Sequence, residues 1–109
     1  MIRPFLIMVF MIIRGGENIY PREIDEVLYE HPAIASAATI GIPDQLYGEE
    51  VMAFVVLKED ASVTADEIID YCRSRLADYK CPKTVQIVKE IPKGPTGKLL
   101  KRELAKLFG

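Results

Sequence analysis

Most signatures of a self-sufficient active site are missing from this sequence. It has one histidine, His31, and two cysteines, Cys72 and Cys81. The cysteines form no C-x-x-C pair and are too few for a disulfide framework, so a reducing cytoplasm is the compartment they suit. Cys72 reads as a buried core thiol and Cys81 as an incidental loop thiol. A lone histidine at a helix end, with no nucleophile beside it, reads as structural. There is no G-x-G-x-x-G, no G-x-S-x-G, no cluster with metal-ligand spacing and no pair of acids set apart as general acid and base. By itself the chain holds no complete active site. The apolar run from Phe5 to Ile13 falls well short of the roughly 20 residues a bilayer crossing needs. As a signal peptide it lacks a small-residue cleavage site, because RGGENIYPREI follows it.

What is present is an ordinary globular balance, half apolar and 28% charged over 109 residues. That length suits one domain burying about two-thirds of its unfolded surface, enough for a core without staples. The net charge of −2 hides an asymmetry: from Lys80 onward eight basic residues stand against Glu90 and Glu103, while everything before is strongly acidic. A basic end on an acidic body suggests an anionic partner, or else a solvated helix face. Nucleic acid fits poorly, since Phe108 is the one aromatic of that tail and no stacking pattern exists. Phosphorylated small molecules remain.

Met8 to Ile13 is predicted as a strand, ended by Gly15-Gly16. Pro21 suits the first position of a helix whose Ile24, Val27 and Leu28 share one face, with Glu23, Asp25 and Glu26 in its first turns. His31-Pro32 stops it. Ala33 to Ile42 is β-like in its second half, and Gly41 to Glu50 reads as a loop. Val51 to Leu57, VMAFVVL, is apolar at odd and even positions alike, the pattern of a strand covered on both faces. Thr64 to Glu67 is a capping box opening a helix through Ile68, Ile69, Cys72 and Leu76. Thr84 to Val88 is a short strand, and Leu100, Leu104 and Leu107 mark a final helix. The fold class is α+β: a small sandwich with a three-stranded sheet packed by helices, plus a short N-terminal strand or hairpin.

Lys98, in GPTGKLLKREL, follows Gly97 and leads into that last helix. A P-loop is excluded, because Pro92 stands where its first glycine belongs and Leu99 where Ser or Thr belongs. Two readings stay open: an ordinary surface lysine, or a cation reaching into a neighbouring cleft from a glycine platform at a helix start. Gly15-Gly16 poses the same choice between a plain turn and backbone approaching a ligand too closely for a Cβ.

Taken together, MIIRGGENIYPREIDEVLYEHP (Met11 to Pro32) and IPKGPTGKLLKREL (Ile91 to Leu104), separated by GIPDQLYGEEVMAFVVL and YKCPK, resemble the C-terminal domain of the adenylate-forming acyl-CoA synthetase superfamily, from about Met11 to Leu107. In that family a carboxylic acid and ATP give an acyl-adenylate and pyrophosphate, and the acyl group then passes to the thiol of coenzyme A. A large N-terminal domain binds ATP, Mg2+ and the acid, and the small C-terminal domain is a lid that turns between the two half-reactions. The resemblance implies that Lys98, beside Thr96 and Gly97, is the adenylation lysine contacting the carboxylate and the α-phosphate region. It implies that Arg14, Gly15, Gly16 and Glu17, within RGGEN, face coenzyme A in the thioester-forming pose. No metal ligand is expected here.

One region departs from the family pattern. Where a polar hinge, typically Asp-Arg-x-Lys, usually stands, this chain has Leu6 to Phe10, LIMVF. Residues 1–10 are therefore expected to be an atypical apolar segment and residues 11–109 the domain proper. The ATP-binding domain is absent, so the chain reads as an excised domain, gene fragment or mis-called start, inactive alone. The partners expected are that domain and a small carboxylic acid, with no nucleic acid and no membrane span. The alternatives are a stand-alone module binding a nucleotide or coenzyme A, and a non-catalytic interaction fragment.

Overall fold

A computed structural model of the chain describes residues 11–91. The apolar segment 1–10, the loop carrying Thr96, Gly97 and Lys98, and the final helix through Leu100, Leu104 and Leu107 lie outside the described residues.

The described chain begins with a hairpin. Strand β1 (Ile12–Arg14) pairs antiparallel with β2 (Glu17–Ile19), Ile12 opposite Ile19 and Arg14 opposite Glu17. Gly15 and Gly16 make the two-residue loop at φ +58° and +85°. Positive φ at both positions is the combination whose twist matches the flanking strands, and it favours glycine at each. Side chains alternate across the ribbon, so Ile12 and Ile19 enter the core while Ile13 faces out.

Helix α1 (Pro21–Tyr29) starts on its proline and buries Ile24 and Leu28, one turn apart on a single face. Helix α2 (Ala65–Arg73) opens on the predicted capping box: Thr64 Oγ1 accepts from the Glu67 amide at 3.1 Å, and Glu67 Oε1 accepts from the Thr64 amide at 2.9 Å. It buries Ile68 and Cys72. The helix was expected to reach Leu76 but ends at Arg73. The Ser74 hydroxyl donates to the Tyr71 carbonyl at 2.8 Å, and the Arg75 amide bonds Cys72 three residues back, tightening the last turn. Leu76 packs on the core from this irregular turn instead. A 3-10 turn (Asp78–Lys80) then leads toward the last described strand.

The main sheet has order β3-β4-β5. Strand β3 (Ile34–Asp44) runs antiparallel to β4 (Gly48–Leu57), and β5 (Thr84–Ile87) runs parallel to β4 after the crossover through α2. The central place of β4 explains why VMAFVVL is apolar throughout. Val51, Ala53 and Val55 face a core built with both helices and the hairpin, while Met52 and Phe54 join Ala38 and Ile40 on the opposite face. Fully burying a side chain of this kind contributes roughly 1.5–3 kcal/mol.

Two expectations need correction. Gly41 to Glu50 is not a loop: the ladder continues to Asp44 opposite Gly48, leaving residues 45–47 as the turn. Gly41 and Pro43 are tolerated because β3 pairs only with β4 among the described strands, so a missing proline amide breaks no second ladder. Cys81 is no incidental loop thiol either. It is buried, its Sγ directed at the carbonyls of Ala77 and Leu76. Burial pushes the Cys72 thiol up to about 11, so it stays protonated and unreactive at neutral pH.

Candidate functional site

The hairpin turn and the β3–β4 turn, far apart in sequence, form one structure. Three consecutive hairpin residues are each tied to the segment from Tyr47 to Glu50. The Ile13 amide donates to Glu49 Oε1 at 2.8 Å, Arg14 Nε donates to Glu50 Oε1 at 2.6 Å, and the Gly15 amide donates to the Tyr47 carbonyl at 2.8 Å. The Arg14 guanidinium also lies over the Tyr47 ring, 3.9 Å from its centroid, a cation–π arrangement. Glu50 is only 4% exposed. Its Oε1 takes a further bond from the Val51 amide at 3.1 Å, while its Oε2 is buried with no partner among the described residues. The hydrogen bond to Glu50 holds the Arg14 guanidinium above its ordinary value. The two side chains form an ion pair that is 22% exposed at Arg14 and 5% exposed at Glu50.

The supporting turn has its own lock. Asp44 Oδ2 accepts from the Tyr47 amide at 2.9 Å and the Leu46 amide at 3.1 Å. The Tyr47 amide, and then the Leu46 amide and nearby positive charges, hold the Asp44 carboxyl below its usual range. Gly48 follows at φ +86°. Beside this scaffold two apolar side chains are exposed, Leu46 at 77% and Ile13 at 49%.

The two hairpin glycines differ. A Cβ on Gly15 would stand 3.1 Å from Tyr47 Cδ1, whereas one on Gly16 would meet none of the described residues within 4 Å. Gly15 is therefore pressed against its own fold. Gly16 requires only its backbone angle and leaves a bare strip of main chain against which an extended ligand can lie.

Of the residues expected at the site, Arg14, Gly15, Gly16 and Glu17 come together in this one hairpin, with Glu17 exposed. Thr96, Gly97 and Lys98 lie outside the described residues. Arg14 points inward to Glu50 rather than outward. Lys80, the first residue of the basic tail, is also committed: its Nζ sits 3.0 and 3.2 Å from the two carboxylate oxygens of Glu23, and this bond raises its affinity for the proton. Lys83 and Lys89 stay exposed. His31 behaves as a helix-end residue, its Nδ1 accepting from the Ala33 amide at 3.0 Å and its ring edge-on to Tyr71. Asp44, Tyr47 and Glu50 escaped sequence reasoning. The signal for them was the run DQLYGEE, where a short turn flanks a fully apolar strand.

Away from the turn, Asp25 on α1 accepts from the Thr39 hydroxyl on β3 at 2.7 Å, and burial pushes its carboxyl up to about 6. Among the described residues no three His, Cys, Asp or Glu gather as a metal site, and no helix is long and apolar enough to cross a membrane.

Residues 23–98 match the AMP-binding enzyme C-terminal domain family. The chain is 52% identical over 94 residues to a long-chain-fatty-acid–CoA ligase of Bacillus subtilis, covering 86% of this chain and 17% of that protein. It is 47% identical over 97 residues to a 2-succinylbenzoate–CoA ligase of Bacillus cereus, covering 89% of this chain and 20% of the relative. The fold superposes on a Mycobacterium tuberculosis fatty acyl CoA synthetase with TM-score 0.81 at 38% identity, covering 92% of this chain and 20% of that one. It superposes likewise on the o-succinylbenzoate CoA synthetase of Bacillus subtilis in complex with its acyl-adenylate intermediate, with TM-score 0.78 at 42% identity over 88% of this chain and 19% of that one. The chain thus spans about a fifth of the length of the curated relatives it matches.

Proposed function

Since the chain belongs to the AMP-binding enzyme C-terminal domain family, we propose that it is the lid of a cytoplasmic acid–thiol ligase. Joined to an ATP-binding domain, it would serve two successive reactions. In the first, a carboxylate oxygen attacks the α-phosphorus of ATP and pyrophosphate leaves. In the second, the thiol of coenzyme A attacks the acyl carbon, its proton is lost, and AMP departs as the carbon–oxygen bond breaks.

The observation that carries this reading is the Gly15–Gly16 turn. It is tied from behind to the Tyr47–Glu50 segment, and none of the described residues lies within 4 Å of where a Cβ of Gly16 would stand. A thiol on a long flexible arm needs a surface that guides it without blocking it, and main chain lacking a Cβ provides one. Arg14, Gly15, Gly16 and Glu17 make up this thioester face. Lys98, which follows Thr96 and Gly97 in the sequence, would serve the adenylation half-reaction, where a cation balances charge on the carboxylate and α-phosphate as pyrophosphate leaves. The Mg2+ that accompanies ATP belongs to the ATP-binding domain, and no step of this chain's residues runs through it.

Each half-reaction would select its pose of the lid by the ligands it holds. The acid is not chosen here. Relatives 43–52% identical over this region carry the names of long-chain-fatty-acid, sulfoacetate, 2-succinylbenzoate and feruloyl enzymes. Specificity therefore belongs to the other domain.

Reconstitution tests the proposal. This chain, added to a separately produced ATP-binding domain, should restore acid-dependent pyrophosphate release and then thioester formation. No gain over the large domain alone would refute it. Binding heat from ATP or coenzyme A with the isolated chain, without such gain, would favour a stand-alone binding module.

A further inference from the structure

We infer that Arg14 is a positioning residue that clamps the Gly15–Gly16 turn through Glu50 and Tyr47, and that it is not itself a phosphate ligand. The inference rests on the reading of this turn as the thioester face.

An arginine beside a site for coenzyme A invites assignment to a phosphate. Its surroundings here argue otherwise. The Nε edge is bonded to Glu50 Oε1 at 2.6 Å, and the guanidinium plane is stacked on Tyr47. The Arg14 side chain is 22% exposed and that of Glu50 is 5% exposed. Swinging Arg14 out to an external phosphate would strand a buried carboxylate whose Oε2 already lacks a partner. Leaving a buried charge without its counter-charge is the strongly unfavourable way to break such a pair.

The bonds on either side of Arg14 give the clamp its purpose. Ile13 and Gly15 are fixed by their amides to Glu49 and Tyr47, so the ribbon is held through Gly15. Open space begins at Gly16. The arginine sets the angle at which that open strip meets an acceptor. A residue acting this way affects every acceptor alike, whereas a phosphate ligand affects only acceptors that carry the phosphate.

The test uses a chimera in which this chain replaces the C-terminal domain of the Bacillus subtilis long-chain-fatty-acid–CoA ligase. Thioester formation from supplied acyl-adenylate is followed with coenzyme A and with pantetheine, which lacks the nucleotide phosphates. Arg14→Gln and Glu50→Gln should each lower kcat about 10–100-fold with both acceptors, the scale expected when a reacting group is misplaced by about 1 Å. The ratio of kcat/KM for coenzyme A to that for pantetheine should stay constant. Pyrophosphate release, which uses the other pose, reports that the variants are folded. A collapse of the ratio in Arg14→Gln, with the pantetheine rate intact, would make Arg14 a phosphate ligand and overturn the inference while leaving the proposed function standing. An unsubstituted chimera that releases pyrophosphate but never forms thioester would remove the reading of the turn, and the clamp's role with it. A second measurement needs no catalysis. In the isolated chain, amide exchange at Gly15 should quicken in both variants, and unchanged exchange would refute the clamp.

Discussion

Gly16→Ala separates what the turn does for the fold from what it does for a ligand. Gly16 sits at φ +85°, and a Cβ there would meet no atom of the described residues within 4 Å. The substitution therefore costs the fold only the left-handed backbone, about 1–2 kcal/mol. For a domain of this size that lowers Tm by roughly 4–12 °C, a loss the native state should survive. Gly15→Ala is the internal control: its Cβ would press on the Tyr47 ring at 3.1 Å, so that ring must turn and loosen its stack on Arg14. If coenzyme A lies against Gly16, a methyl group there fills the space the pantetheine arm needs. Thioester formation should then fall about 100-fold, as for a comparable displacement of reacting groups, far beyond what the stability loss explains. The assay is stopped-flow transfer from supplied acyl-adenylate, read beside pyrophosphate release in the same protein. Thioester formation within about threefold of the parent, at a temperature where both are folded, would show that nothing approaches Gly16 closely; such a factor corresponds to under 1 kcal/mol.

Three further outcomes follow from the same physics. Lys98→Ala should abolish adenylation, by roughly 10²–10³ as for other preorganised contacts, while sparing transfer from supplied adenylate; equal loss of both half-reactions would sink the two-face assignment. Asp25, raised to about 6 in the folded state, binds its proton more tightly there than in the unfolded chain, so its own contribution to stability should be fully present below about pH 4 and be lost, by up to about 3 kcal/mol, as the pH rises through 6. Asn at position 25 should flatten that slope in urea titrations between acid and neutral pH and still accept the Thr39 hydroxyl; an unchanged slope would show that Asp25 is not its source. Thr64→Ala removes the cap on α2 and should lower stability by about 1 kcal/mol without touching either half-reaction, and a selective change in one of them would contradict the separation of α2 from the site.

The elements legible in the sequence were those written in local chemistry. Pro21 starting α1, Thr64 and Glu67 capping α2, and the unbroken apolar run of β4 each act within a few residues, so spacing reveals them. The errors arose where a local signal competed with a distant partner. Gly41, Pro43 and Asp44 look like a loop, yet pairing with β4 carries the ladder to Asp44. Cys81 sits between apparent helix breakers, yet Leu76 and Ala77 fold back over it. Arg14 and Lys80 show a further limit, because spacing alone reveals no partner for either. Each is held by an acid remote in sequence, Glu50 and Glu23 respectively.

The sequence by itself determined that the chain is a small α+β domain and that RGGEN ends a strand with two adjacent glycines. Those conclusions depend on residue type and short spacing, which any conformation of the chain retains. Only the tertiary structure decided that the turn at Gly15 rests on Tyr47, that Glu50 is buried beneath it, and that Gly16, unlike Gly15, has none of the described residues pressed against it. These are contacts between segments more than 30 residues apart, and only the register of β3 on β4 and the docking of the hairpin against them bring such segments together.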